Sequence, residues 1–306
     1  MDESAVPSWY LMLNTLIRRE RLRTDVFNCL PVGKSLTTEE DRSHEAAWIV
    51  NACRELGLGI DTMCLAAITL DRVLLSKRVQ TKYVNCVATA CLSLAIKFCE
   101  ESLTGADHLI ASLNLPYSVR ELNRMERTVL NALKWDLDVP SAYRFIEAML
   151  VSAGFSPATD KARSYLENMF RFPLEAVIRS SSLNFKFRPS VLALTLYSLF
   201  LDASGSPFWE HITIGLQRLL KVRQEEMIEC WEAIADVMYA EEKENAMAAF
   251  DNDGIPAKRL SDAQAIAKMD SADGSSLFKA KSGRCMKKKI TSIPASYALA
   301  FLSQQD

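Results

Sequence analysis

Sixteen consecutive residues, "YVNCVATACLSLAIKF" at positions 83 to 98, put small or apolar side chains on every side of a helical wheel. Such a segment reads as a helix buried all round, because no face of it is suited to water. The run nevertheless carries a lysine, Lys97, at its next-to-last position. An ammonium at the end of an enclosed helix needs a partner, and the rest of the chain must supply it.

Between Trp9 and Ala240 nearly every stretch follows a helical period, and none alternates as a strand would, so the fold class is all-α. An N-terminal helix, "SWYLMLNTLIRRERLR", sets Leu13, Leu16 and Ile17 on one side and gives way to a linker with Pro31 and Gly33. A first set of five helices then runs from about Thr38 to Leu137. Its first helix begins with a threonine cap followed by acids, and its last begins with the capping box Ser118 and Glu121. A second set contains "DVPSAYRFIEAMLVSAG", "KARSYLENMFRF", "RPSVLALTLYSLFLDA" and "RQEEMIECWEAIADVMYAEEK". Its apolar helix at Pro189 echoes the first set's buried helix about a hundred residues downstream, which suggests a duplicated module. The second copy has no lysine at the matching end.

The boundaries expected are an N-terminal helix and linker at 1–38, the first module at 39–139, the second at 140–243, and a largely disordered polar and basic tail at 244–306. Lys279, Lys281, Arg284, Lys287, Lys288 and Lys289 cluster in that tail, as in a nuclear import signal or a solvated charge run. Ser156 and Ser206 each precede proline, a pattern of kinase targets and, more often, of turns.

Several functional classes are disfavoured. The formal charge of -2 gives no sign of nucleic acid or an anionic membrane as partner. No membrane span is expected, since the long apolar run is interrupted by Asn85, Thr89 and Ser93, and the N-terminus lacks the order of a secretory signal. Eight scattered cysteines form no C-x-x-C pair and read as reduced core residues of a cytosolic or nuclear protein. "VGKSLTT" has the end of a phosphate-binding loop, but Asn28 stands where its first glycine belongs. "DNDGIPAKRL" resembles a calcium loop whose first and last ligand positions fall on Ala249 and Leu260. The three histidines, His44, His108 and His211, share no metal-binding interval. No catalytic signature, metal or cofactor is expected, and an enzyme is disfavoured.

A second misplaced charge lies in "VRELNRMERTVLNAL". Leu122, Met125, Val129, Leu130 and Leu133 share one arc of its wheel, and Glu126 lies inside that arc. Two readings follow with equal weight from the pattern. Lys97 and Glu126 pair with each other under a partly dry cover, which is weak evidence for stability. Alternatively both emerge at a groove and offer a donor and an acceptor to another protein's backbone within an apolar patch.

"CLAAITLDRVLLSKRVQTKYVNCVATACLSLAIKFCEES" with "LNRMERTVLNALKWDL" resembles the first cyclin box, and the duplicated architecture resembles a cyclin with both of its five-helix folds. "LMLNTLIRRE", "RPSVLAL" and "AIKFCEES" are most similar to the G-type and I-type group. The resemblance implies a non-enzymatic regulatory subunit that forms a heterodimer with a cyclin-dependent kinase and favours its active conformer, in cell-cycle or stress and growth-arrest control. The reduced cysteines and the basic tail cluster set the expected location as nucleus and cytoplasm. Lys97 and Glu126 match the pair that anchors the kinase, and Phe98 and Leu130 match apolar contacts of the same surface. Arg42 and Asp71 match an internal bridge between the first two helices of the box. Of the substrate-docking patch, Trp48 is present, while Asp41 and Glu45 replace a methionine and a leucine and would repel the usual apolar peptide end. The subgroup also implies a protein phosphatase as a partner. Two rivals are a non-activating scaffold that recruits a phosphatase or ubiquitin machinery, and a transcription or RNA-processing factor with the same helical duplication. Near-neutral charge counts against the second.

Overall fold

The computed structural model of the protein describes residues 7–21, 37–100, 105–153, 160–205 and 207–253. The linker, the Gly-Lys-Ser stretch, Ser156, Ser206 and the basic cluster of the tail lie outside the described residues, as do Cys29 and Cys285. Among the described residues every regular element is a helix and no strand occurs, so the fold is all-α. After α1 (Ser8–Arg21), the first set comprises α2 (Glu39–Glu55), α3 (Ile60–Ser76), α4 (Thr81–Cys99), α5 (Ala106–Ser112) and α6 (Val119–Ala132). The second set comprises α7 (Ala142–Ser152), α8 (Asp160–Arg179), α9 (Ser181–Lys186), α10 (Pro189–Ala203), α11 (Trp209–Leu220) and α12 (Gln224–Asp253). The chain falls into two units, Met1–Ile234 and Ala235–Asp306, so α12 belongs to the first only as far as Ile234.

Helix α4 is enclosed as its composition demands. Every residue from Cys86 to Ile96 is buried, a stretch of about three turns that leaves no side for water. Helices α2, α3 and α6 pack around it. By length and composition α4 could cross a bilayer, yet 67% of its apolar window is buried inside the protein, which is the position of a core helix. Helix α10 has the same standing in the second set. Its residues Pro189 to Ser198 are all buried, and it packs on α1, α7 and α11.

The helix starts obey local chemistry. Thr38 caps α2 through a full capping box: its hydroxyl accepts from the Asp41 N–H at 3.0 Å, and the Asp41 carboxylate accepts from the Thr38 N–H at 2.9 Å. The bond from the Thr38 N–H, with lesser ones from the Thr38 and Thr81 hydroxyls, holds the Asp41 carboxyl below its ordinary value. Ser118 and Glu121 form the same box at α6, as the sequence pattern requires. Two segments depart from the pattern. Helix α8 continues through Pro173 to Arg179, and α12 runs to Asp253, past the point at Lys243 where periodicity fades. Helix α11, over "WEHITIGLQRLL", is an element that the periodicity alone does not single out.

Long-range charges then lock helix ends to other helices. Glu100, just past α4, accepts hydrogen bonds from the Gly59 N–H at 3.0 Å and from the Thr62 hydroxyl at the start of α3. Glu20 of α1 is buried and accepts from the Ser190 N–H at 2.8 Å and the Ser190 hydroxyl at 2.7 Å in the first turn of α10. Glu175 of α8, 1% exposed, is held by Arg54 of α2. Arg42 does the most. Its guanidinium grips Asp71 of α3 bidentately at 2.7 and 2.8 Å, bridging α2 and α3. Its remaining nitrogen donates to the Ile178 carbonyl at 2.6 Å and the Arg179 carbonyl at 3.4 Å, where α8 ends. A cation there also meets the negative end of the helix dipole.

The described cysteines are all unpaired thiols, and only Cys99 is less than fully buried. Burial pushes Cys53 and Cys230 up to about 12, so both are neutral thiols and poor nucleophiles near pH 7.

Arg42→Ala strands the Asp71 carboxylate and two carbonyls of α8, and is expected to cost about 3–5 kcal/mol in a urea melt. Asp71→Ala is expected to cost less, since Arg42 keeps its carbonyl acceptors and Asp71 sits nearer solvent. Glu20 carries a dependence on pH, because its pKa is raised from 4.5, mainly through burial that disfavours its charge. A carboxyl with a raised folded pKa contributes stability that is complete below its unfolded value and is lost as pH climbs through the folded value. Glu20→Gln, which carries no charge at any pH, is therefore expected to gain thermal stability relative to the wild type as pH rises from 4 to 7. A difference in Tm that stays flat over that range would contradict this.

Candidate functional site

Helix α4 emerges from the core at its C-terminal end. Ile96 is its last buried residue, and the next two, Lys97 and Phe98, are exposed, Phe98 at 46%. Four residues before Lys97, and therefore on the same face, stands Ser93. Helix α6 packs alongside and brings Glu126 to the same point from its apolar arc.

The three polar groups converge. The Lys97 ammonium donates to both carboxylate oxygens of Glu126, at 2.6 and 2.7 Å, and the Ser93 hydroxyl donates to Oε1 at 2.6 Å. The two arrangements that the sequence leaves open are thus combined rather than opposed, because the ions pair with each other and the pair still reaches the surface. The Glu126 side chain is 10% exposed and that of Lys97 is 37% exposed. Lys97 has three N–H donors and commits two to Glu126. The carboxylate has four acceptor positions and uses three. One donor and one acceptor remain; Phe98, next to Lys97 in the chain, is exposed, and Leu130, one turn on from Glu126, is half-buried.

Of the remaining expected site residues, Arg42 and Asp71 lie in the internal bridge that joins α2 to α3 and α8. Asp41 is occupied in the α2 cap. Glu45 is buried and accepts from the Asn85 side-chain amide at 2.8 Å, while Tyr117 donates to Asn85 at 2.9 Å. Trp48 lies half-buried on the same helix. Glu45 thus has a structural partner of its own, which helps explain how an acid is tolerated there. Ser93 is the site residue that the sequence pattern does not reveal. Its position one turn before Lys97 is the available signal, but in a run of small residues it looks like an interruption of apolarity. Among the described residues no group of three or more His, Cys, Asp or Glu is arranged to hold a metal.

Residues 11–138 match the family model described as the cyclin N-terminal domain. Cyclin-G1 of Bos taurus is 28% identical over 186 residues, which covers 59% of this chain and 60% of that protein. Cyclin-B1-1 of Oryza sativa subsp. japonica is 29% identical over 164 residues, 54% of this chain and 36% of its own length. The chain therefore spans less than two thirds of the length of these relatives. A viral cyclin from herpesvirus saimiri, known from X-ray structure, superimposes with a TM-score of 0.61 at 18% identity, covering 74% of this chain and 96% of that one. At that identity the likeness concerns the fold.

Lys97→Met leaves Glu126 with Ser93 as its remaining partner, and is expected to cost about 1–3 kcal/mol in chemical denaturation. Water reaches Lys97, which keeps the cost below that of a fully enclosed pair. Lys97→Met combined with Glu126→Leu removes both charges and is expected to recover part of the loss. A double variant less stable than the sum of the two single variants would show that the pair is not the unit of interaction.

Proposed function

We propose that this chain, whose residues 11–138 match the cyclin N-terminal domain model, is a regulatory subunit that binds a cyclin-dependent kinase at the α4–α6 edge. The observation that carries the reading is the Lys97–Glu126 pair, fixed by Ser93 and reached by water through the Lys97 side chain, which is 37% exposed. It offers the chemistry needed to hold a foreign main chain, a spare N–H and a spare carboxylate lone pair. Its flanks supply apolar surface for the kinase helix that follows. In protein kinases the inward position of that helix lets its glutamate pair with the ATP-binding lysine. A subunit that binds the inward conformer better than the outward one shifts the population toward activity and contributes no chemistry of its own.

The test is co-purification from cells. The wild type is expected to recover a cyclin-dependent kinase, and Lys97→Ala with Glu126→Ala to lose it while helical content by circular dichroism is unchanged. Interface anchors of this kind contribute about 2 kcal/mol or more each, enough to empty a pull-down. Normal kinase recovery by the double variant would remove the reading. Recovery of phosphatase subunits or ubiquitin machinery without kinase, in either sample, would favour a non-activating scaffold.

A further inference from the structure

Helix α6 carries a second feature that the kinase reading does not use. Arg120, Arg124, Arg127 and Asn131 follow one another at intervals of four, three and four residues, which sets them in one stripe along the helix, and Lys134 follows in the turn that ends it. All five are exposed. The stripe lies opposite the side that buries Leu122 and Val129, and roughly 120° around the helix from Glu126. None of the four cations forms an ion pair with a carboxylate among the described residues. Of the two acids of α6, Glu121 is taken by the Ser118 cap and Glu126 by Lys97 and Ser93. Like charges three and four apart repel along a helix, so the stripe is an unbalanced arrangement in the free protein.

An independent observation stands at its lower end. Lys134 and Trp135 have φ angles of 54° and 61°, two successive left-handed residues neither of which is glycine. That backbone is strained for side chains with a Cβ, and such strain gathers at functional positions. Here it presents an indole that is 67% exposed, the most exposed large apolar side chain among the described residues. The ring is also held in place, since its N–H donates to the Asn131 side chain at 3.2 Å. Oriented tryptophans of this kind are typical anchors of protein interfaces.

We propose that the stripe and Trp135 form a docking surface for an acidic, extended segment of a partner protein, with an apolar side chain at the end that meets Trp135. The spacing fits. From Arg120 to Asn131 the helix rises roughly 17 Å, about the span of five extended residues, and Lys134 lies in the turn just beyond. Acids at alternate positions of an extended chain lie about 6.7 Å apart on one side, close to the rise of roughly 6 Å between Arg120 and Arg124. An acidic protein segment is favoured over nucleic acid because the cations are confined to one convex helix side of a chain with a net charge of -2. The surface shares no residue with the Lys97–Glu126 edge, so it does not depend on the kinase reading.

The experiment uses the full chain and a fluorescein-labelled peptide of five Glu-Ser repeats closed by leucine, followed by fluorescence anisotropy. Binding is expected at 50 mM NaCl, weakening at least tenfold at 200 mM. Arg120→Glu/Arg124→Glu/Arg127→Glu is expected to lose at least tenfold in affinity, with Arg120→Gln/Arg124→Gln/Arg127→Gln as a second variant should the reversal disturb folding. Trp135→Ala is expected to weaken the leucine-closed peptide and leave a serine-closed one unchanged. Lys77→Glu/Arg78→Glu, in the exposed basic turn before α4, is the control and is expected to leave binding intact. The proposal is overturned by an absence of binding at 50 mM salt, by equal losses in the stripe and control variants, or by a ten-nucleotide single-stranded DNA that binds through the stripe when the peptide does not.

Discussion

A helix with no polar side can exist in water only if other helices close around it, and α4 imposes that requirement on the whole first set. Eleven consecutive buried residues, Cys86 to Ile96, leave α2, α3 and α6 no choice but to pack on it. The place where α4 leaves this enclosure is then the place where the chain can show polar chemistry to the outside. Lys97 is the first exposed residue after the buried run, and the packing of α6 on α4 decides which group meets it. The candidate site is thus a consequence of the core, not an addition to it.

Apolar packing alone does not say which end of a helix belongs where, and a set of buried and half-buried charges supplies that direction. Glu20 and Glu100 are carboxylates placed at the starts of α10 and α3, and Arg42 is a cation placed at the end of α8. Each sign suits the dipole of the helix it meets. Each also satisfies groups that a helix leaves without an internal partner at its ends. Reversing the direction of any of these helices would set charge against like partial charge. The second set repeats the enclosed helix in α10 but ends it at Asp202 and Ala203, so it shares the shape of α4 without its terminal cation.

What is legible in the sequence is what depends on near neighbours. The buried period of α4, the caps at Thr38 and Ser118, and the oddity of Lys97 and Glu126 are all patterns within one helix or its first turn. The relations that only folding creates are illegible. Nothing near Arg42 announces that its third nitrogen serves carbonyls 136 and 137 residues away. Ser93 cannot be distinguished from the other small residues of α4 until α6 sets Glu126 against it. Asp41 invites a reading as a groove acid, although its place three residues after Thr38 makes it the partner in a cap. The continuation of α8 through Pro173 is hidden because a helix breaker outweighs its neighbours locally. Beyond it Val177 and Ile178 are buried, and Glu175 is fixed by Arg54.

The pairing of Lys97 with Glu126 bears on how such an edge can bind at all. A lone lysine on a surface loses up to about 2 kcal/mol of rotamer freedom when a partner fixes it. Here two hydrogen bonds to Glu126 have already taken most of that freedom, and Ser93 holds the carboxylate from the other side. A partner meeting the pair finds donor and acceptor in a set geometry and adds bonds to the positions left over, so little further ordering is required. The desolvation of Glu126 likewise belongs to folding and not to association, since its side chain is nearly enclosed before any partner arrives. A pair that contributes little to stability can therefore contribute to affinity, because the costs that make it a weak stabiliser have been met in the free protein.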